Sequence, residues 1–406
     1  MKKTILILSC LLLFTGCTLQ PKAYTPLLDS KGYLSSKKVP TSIDQTIANA
    51  TVSLSDAMID SFNDQQQNVF VSAPSLMLAL AMTATGAIDE TQDEMLAALH
   101  LDGLSLETMH QHLKDMQLSM INQQGIKLHL TNSIWIRDTF KERVLTSFLD
   151  TNKEYYAPMI ATGDFNSQKM VDDINNWVSD ATNEKIKTAI DEPIHPLTQM
   201  FLINTLYFKG DWLIPFEKEM TIKRPFLNQE VDTMAILDRF DYSENQYGQF
   251  IALPYKDSEL KMIVGLPKEN GSLSISDLLS ASKTMSNVSV DLQMPKVQIE
   301  LTMKLKDYLI DQGMIAAFDS SLANFNNMAT DATKTGLHVA DVTQKTFLAI
   351  DEKGTEAAAM TKVEMRNESM PMSDAVMHIN RPFTLMIVDP NFDIVYFAGV
   401  INNPQP

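Results

Sequence analysis

An α+β domain is the fold class this sequence predicts, and three observations predict it. Apolar residues recur at helical spacing in Ser42 to Phe62, at Ile43, Ile47, Ala50, Leu54, Met58 and Phe62. Alternation marks strands elsewhere, as in Ile126 to Ile136 and from Thr355 to Met365. Two apolar runs around a turn close the chain between Asn380 and Pro404. The 406 residues are 45% hydrophobic and 20% charged, so the chain can bury a large core. No linker composition interrupts Pro40 to Pro404, and one domain over residues 40–406 is the reading.

Met1 to Gly16 carries Lys2 and Lys3 before an apolar run of about a dozen residues, too short to span a bilayer and typical of a secretory signal. Phe14 to Cys17, FTGC, resembles the bacterial lipobox, with Phe14 where Leu is usual. That likeness implies a lipid on Cys17 as mature N-terminus and a bacterial lipoprotein held at the cell envelope, on the outer membrane or cell surface. An unmodified Cys17 after a conventional signal is the alternative. Cys10 leaves with the signal, so no disulfide is expected. The polar stretch Thr18 to Lys38, with Pro21, Pro26 and Gly32, reads as a flexible tether within residues 17–39 that stands the domain off a membrane. Removing Met1 to Gly16 takes the formal charge from −17 to −19, because two lysines and no acid are lost. Such acidity argues against nucleic acid as a partner and for a solvated surface.

The elements follow in order. Asn68 to Ala87 reads as a short strand entering a buried, Ala- and Met-rich helix capped near Ser72. Asp89 to Leu99 and Leu104 to Ile121 are helical, and Phe140 to Tyr156 and Lys169 to Thr182 are amphipathic. Short strands fill Val231 to Leu266, a helix follows near Ile275 to Ala281, and Val288 to Leu301 is a strand. Leu305 to Phe318 reads as a helix with a Gly stop, and Leu337 to Ile350 as a strand.

The most informative stretch is Asp351 to Pro382. In a strand, Thr355, Ala357, Ala359, Thr361, Val363 and Met365 face one way, and Gly354, Glu356, Ala358, Met360, Lys362, Glu364 and Arg366 the other. One face is apolar or small and the other mostly charged. The first inward residues are small for a permanent core strand and suit one that must slide in. A helix start with Thr355 as N-cap is the competing reading of the Ala run. After Met365 the alternation stops, which reads as an exposed loop.

Here the sequence resembles the serpin family. Glu352, Gly354, Thr355, Glu356, Ala357, Ala358 and Ala359 match the hinge of inhibitory serpins, whose exposed reactive loop is cut and inserted into the central sheet. Asn204, Phe208, Lys209, Gly210 and Trp212 match the end of the family's central strand, and Trp212 is expected where the loop first enters. Ser72-Ala73-Pro74-Ser75 resembles the Ser-Pro-x-Ser shutter motif with its proline one place late; both serines also suit plain helix capping. Met294-Pro295-Lys296 stands where Leu-Pro-Lys is usual, and Arg381, Pro382, Phe383, Phe397, Gly399 and Asn403-Pro404 match the C-terminus. Gln344 replaces the shutter histidine; it can hydrogen-bond but cannot titrate. The resemblance covers about Asp44 to Pro404 and implies three β-sheets, about eight or nine helices and an exposed reactive-centre loop.

Other chemistries find little support. The seven histidines form no HExxH pair and no CxxC occurs, so neither a metal nor another cofactor is expected. His110 and His112 read as solvated surface. Asp389 to Asp393 lacks the glycine of a calcium loop and reads as a turn. The sequence has no GxSxG elbow, and the 25 methionines are dispersed, as core gap-fillers are.

What the resemblance implies is a monomeric inhibitor, not an enzyme, that traps serine proteases covalently, with cysteine proteases as secondary targets. Counted from Glu352 at the family's usual spacing, the reactive bond is Glu368-Ser369; Met365, Arg366, Met370 and Met372 offer alternatives, since the loop is longer than in antitrypsin-like members. The runner-up is a non-inhibitory serpin, acting as a binding module or mere substrate.

Overall fold

The computed structural model describes residues 21–30, 32–190, 193–355 and 373–404. Helices α1 (Gln45–Phe62), α2 (Ala73–Ala84), α3 (Asp89–Ala98), α4 (Leu106–Ile121), α5 (Thr146–Tyr155) and α6 (Gln168–Ala181) lie in the first half; α7 (Ile275–Ser282), α8 (Lys306–Asp311) and α9 (Ala332–Thr335) are shorter. Caps fix their starts: Asp44 accepts from the Thr46 N–H, and Ser274 with Asp277 forms a capping box. Every residue of α2 is buried, as its apolar circumference requires.

The strands are β1 (Tyr24–Asp29), β2 (Val69–Val71), β3 (Ile126–Arg137), β4 (Met159–Gly163), β5 (Met200–Asp211), β6 (Ile222–Phe226), β7 (Gln229–Glu244), β8 (Gly248–Pro254), β9 (Lys261–Pro267), β10 (Ser286–Pro295), β11 (Val297–Lys304), β12 (Val339–Ile350), β13 (Gly354–Thr355), β14 (Ala375–His378), β15 (Phe383–Asp389) and β16 (Ile394–Ile401). The central sheet runs β1-β4-β3-β5-β13-β12-β11. The remaining strands follow the path β14-β10-β7-β8-β9-β15-β16-β2, with β6 on β7. The two smaller sheets expected from the resemblance are thus joined, because β7 spans 16 residues and pairs with β10 along most of its length and with β8 at its end.

The central sheet separates two cores. Behind it, α2 and β16 bury Leu206 and Phe208 against Phe70 and Phe397. In front, α6 covers Trp135, Phe201 and Ile203, with Trp177 edge-on to Trp135.

Four expectations need correction. The stretch read as a tether holds β1, which pairs antiparallel with β4 at the sheet edge. Tyr24 packs edge-on against Trp135 at 5.2 Å and Leu34 is buried, so apolar anchors outweigh the polar composition, and Pro26 is tolerated on an edge. The helix over Leu305 to Phe318 ends at Asp311; Gly313 at φ +89° stops it, and only a 3-10 turn follows at Ala316–Phe318. The strand over Val288 to Leu301 is two strands broken at Lys296. His110 is buried, 2.6 Å from the Tyr156 hydroxyl and stacked on Tyr155, and burial lowers its pKa; His112 is half-buried.

Candidate functional site

β5 and β12 run parallel in mid-sheet and pair from Met200 and Val339 to Leu206 and Thr346. Towards Asp211 and Ile350, taken as the top, they part. There β13 lies between them: Gly354 pairs with Asp211, and Thr355 with Gly210 on one side and Ile350 on the other. The seam is open above and closed below.

A tight turn brings β12 back as β13. The Asp351 carboxylate accepts from the N–H of Lys353 at 2.8 Å and of Gly354 at 3.3 Å, while its own N–H donates to the Gly354 carbonyl at 3.0 Å. Burial pushes the Asp351 carboxyl up, those N–H groups offsetting it only in part. Position 354 must be glycine, since a Cβ would collide with the Gly210 carbonyl.

Trp212 holds the turn from the β5 side. Its N–H donates to the Lys353 carbonyl at 2.7 Å and its indole N–H to the Asp351 carbonyl at 3.0 Å. Its ring stacks on Tyr255 with centroids 4.9 Å apart. The Tyr255 and Thr355 hydroxyls share a buried 2.7 Å hydrogen bond. Glu352 points away and is clamped: Lys296 Nζ lies 3.0 Å from it, the Thr221 hydroxyl donates at 2.8 Å, and its carbonyl accepts from the Phe216 N–H at 2.8 Å. Burial opposes its charge, but its own backbone N–H, Lys296 and Thr221 outweigh that and hold the carboxyl below its usual range.

Lower down, a buried amide network locks the strands. Gln344 receives the Ser72 N–H at 3.0 Å and donates to the Ser72 carbonyl at 2.9 Å and the Asn204 side-chain oxygen at 3.1 Å. Asn204 donates to the Ser75 carbonyl at 2.7 Å and to the Asn132 side chain. Gln344 and Asn204 sit directly opposite each other on β12 and β5. Ser72 caps α2 through the Ser75 N–H, and the shifted Pro74 falls in the first helical turn, where its missing N–H costs nothing. The Ser75 hydroxyl has no partner among the described residues, so Ser75 acts here through its backbone.

Of the residues singled out by sequence, Glu352, Gly354, Thr355 and Trp212 gather at the top and Ser72, Ser75, Asn204 and Gln344 in the middle. Cys17, Glu356, Ala357, Ala358 and Ala359, and all the candidate cleavage positions from Met365 to Met372, lie outside the described residues. Sequence reasoning missed Tyr255, Thr221 and Asn132, which stand outside the quoted motifs, and gave Lys296 no role although it lies in one.

The central sheet thus carries one seam, between β5 and β12, closed in the middle and held open at its top by the two-residue strand β13. The family model for serpins, described as serine protease inhibitors, matches residues 46–404, and the chain belongs to the serpin family. An uncharacterized serpin-like protein of Thermococcus kodakarensis is 30% identical over 100% of both chains. Human serpin B4 is 30% identical over 84% of this chain and 94% of its own. Among solved structures, the thermophilic serpin tengpin in its native state superposes with a TM-score of 0.81 at 28% identity, over 94% of this chain and 99% of that one.

Proposed function

We propose that this chain is an irreversible suicide-substrate inhibitor of serine proteases. One observation carries the reading: Gly354 and Thr355 already occupy the top of the seam, Thr355 paired with both β5 and β12. The target serine attacks a loop carbonyl and expels the amine of the following residue, leaving the loop esterified to the protease. Insertion from Glu356 onward then carries the ester away from the attacking water and gains main-chain hydrogen bonds on both sides. The small side chains of Ala357 and Ala359 let that strand enter against the rear core at low cost.

The reactive bond is Glu368-Ser369 in this reading, with Met365, Arg366, Met370 and Met372 as the other cleavage positions. Cysteine proteases accepting these residues are secondary targets, and the inhibitor acts as a monomer. Cys17 carries lipid after loss of Met1 to Gly16, so inhibition is delivered at a bacterial cell envelope.

Incubation with trypsin, elastase, a cathepsin-G-like enzyme and a glutamate-specific protease tests it. A complex that survives detergent, with release of Ser369 to Pro406, 38 residues, fits both mechanism and bond. Clean loop cleavage by all four without a complex sinks inhibition and leaves the non-inhibitory reading.

A further inference from the structure

A cleft of about 610 Å³ opens on the front of the central sheet, between the strands and the described part of the segment that joins α6 to β5. Its size is that of a small-molecule site, which is largely apolar with a few converging polar groups. The proposed mechanism makes no use of it.

Strand pairing fixes the layout of its floor. Phe201 of β5 lies opposite Asp341 of β12, and Ile203 opposite Thr343. Thr343 in turn lies opposite Lys304 of β11. Alternation puts all five side chains on one face, away from Gln344, which turns back to Ser72, and all five line the cleft. Across the sheet the floor therefore reads apolar, then acidic, then basic. Ile194 packs over the apolar end, with Phe201 and Ile203 in the same core.

The acid and the base do not close on each other. Asp341 takes one hydrogen bond among the described residues, from the Val342 N–H at 2.8 Å, which leaves its second oxygen open to a ligand. Burial holds its carboxyl above the usual range; the Val342 N–H and the charges of Lys304 and Lys306 offset this only in part, and Asp307 works against them. The Lys306 ammonium is engaged elsewhere, 5.5 Å over the Phe318 ring. Lys304 is exposed, and a ligand can reach it.

We propose that this cleft binds a free amino acid with a large apolar side chain. Its ammonium sits on Asp341, its carboxylate on Lys304, and its side chain on Phe201, Ile203 and Ile194. Such a ligand carries all three groups on one carbon, in the order in which the floor presents their partners. A half-buried carboxylate with an open oxygen gains a charge-assisted hydrogen bond from an ammonium brought into the cleft. A simple amine would meet repulsion from Lys304, and a simple carboxylate repulsion from Asp341. Because the ligand touches both β5 and β12, it ties the lower seam together. Binding needs no loop cleavage.

Calorimetric titration of the intact chain with L-phenylalanine tests this. Beside it run L-phenylalaninamide, which keeps only the ammonium, and N-acetyl-L-phenylalanine, which keeps only the carboxylate. L-phenylalanine should bind at one site, and each analogue at least about tenfold more weakly, since each loses a charged partner. Asp341→Asn and Lys304→Gln should each weaken L-phenylalanine at least about tenfold as well. The analogues are measured on the unmutated chain, so a variant that fails to fold does not blunt the test. No binding of L-phenylalanine at millimolar concentration overturns the proposal. Equal binding of the amide overturns it too and makes the cleft a site for cations or peptide N-termini; equal binding of the acetylated form makes it one for anions or peptide C-termini. Binding that survives both substitutions places the ligand elsewhere and has the same consequence.

Discussion

The top and the middle of the seam are held by different chemistry. At the top the strands are already apart, and Thr355 fills the space while Trp212, Tyr255 and the Lys296–Glu352 pair fasten the turn from outside. In the middle nothing is wedged: Gln344 and Asn204 close the seam through buried amides that also grip the start of α2. Each buried amide group left unpaired costs about 1–3 kcal/mol, so in the proposed mechanism the middle sets the barrier to insertion and the top sets where insertion begins. Separating the two roles makes each breakable on its own.

The largest effect is expected at the top. Thr355 is 1% exposed, and Thr355→Arg places an unpaired guanidinium against Tyr255. Burying such a charge costs several kcal/mol, a cost the intact chain escapes by releasing the two-residue β13 but an inserted strand cannot, and about 1.4 kcal/mol already shifts that partition tenfold. The chain should become a substrate, the inhibitor consumed per protease rising at least about tenfold in an active-site titration. An unaltered stoichiometry would refute insertion through this opening.

Gln344→Ala should act next most strongly, and in the opposite sense. It leaves the Ser72 amide group and the Asn204 oxygen without their partner, so the intact form should lose about 2–4 kcal/mol in urea unfolding. Intact inhibitor should also lose activity faster on mild warming, because the lock and not the wedge is missing. Wild-type behaviour in both assays would show that the amide network is not the lock.

Much of this contrast was legible in the sequence, and the limits are physical. Alternation and small side chains marked Thr355 to Met365 as a strand able to enter, and Gly354 heads that run because no Cβ fits there. Gln344 could be named from a motif, but its bidentate grip on Ser72 joins residues 272 positions apart, which no periodicity encodes. Tyr255 is invisible for the same reason: it reaches Thr355 only after β8 and β5 have been brought together. The N-terminal segment misled because β1 draws its stability from Trp135 and Asp173, not from its own composition.

A smaller effect distinguishes the two carboxyls of the turn. The Glu352 pKa is lowered, so its contribution is complete above the ordinary value of 4.5 and is lost as pH falls through the lower folded value. The Asp351 pKa is raised, so its contribution has the other sign, favouring the folded turn as pH falls towards 3.8. Hydrogen-exchange protection of the Phe216 N–H, which bonds the Glu352 carbonyl, should therefore weaken below about pH 4.5 in the wild type, and in Glu352→Gln be weaker throughout with no loss below pH 4.5, since only Asp351 then titrates in the turn. A protected, pH-independent Phe216 in that variant would mean that Lys296 and Thr221 do not fasten the hinge.

The smallest effect isolates the wedge. Tyr255→Phe removes the hydroxyl bonded to Thr355 and keeps the ring stacked on Trp212 and edge-on to Phe208. The loss should be about 1 kcal/mol, the ordinary worth of one neutral hydrogen bond. Because Thr355 is in place before insertion and stays there afterwards, intact and cleaved forms should be lowered equally and the gap between them should not change. Gln344→Ala, by contrast, acts on a contact that insertion must break, so it should widen that gap. If Tyr255→Phe weakens only the intact form, Thr355 leaves Tyr255 during insertion, and the top of the seam rearranges instead of serving as a fixed starting point.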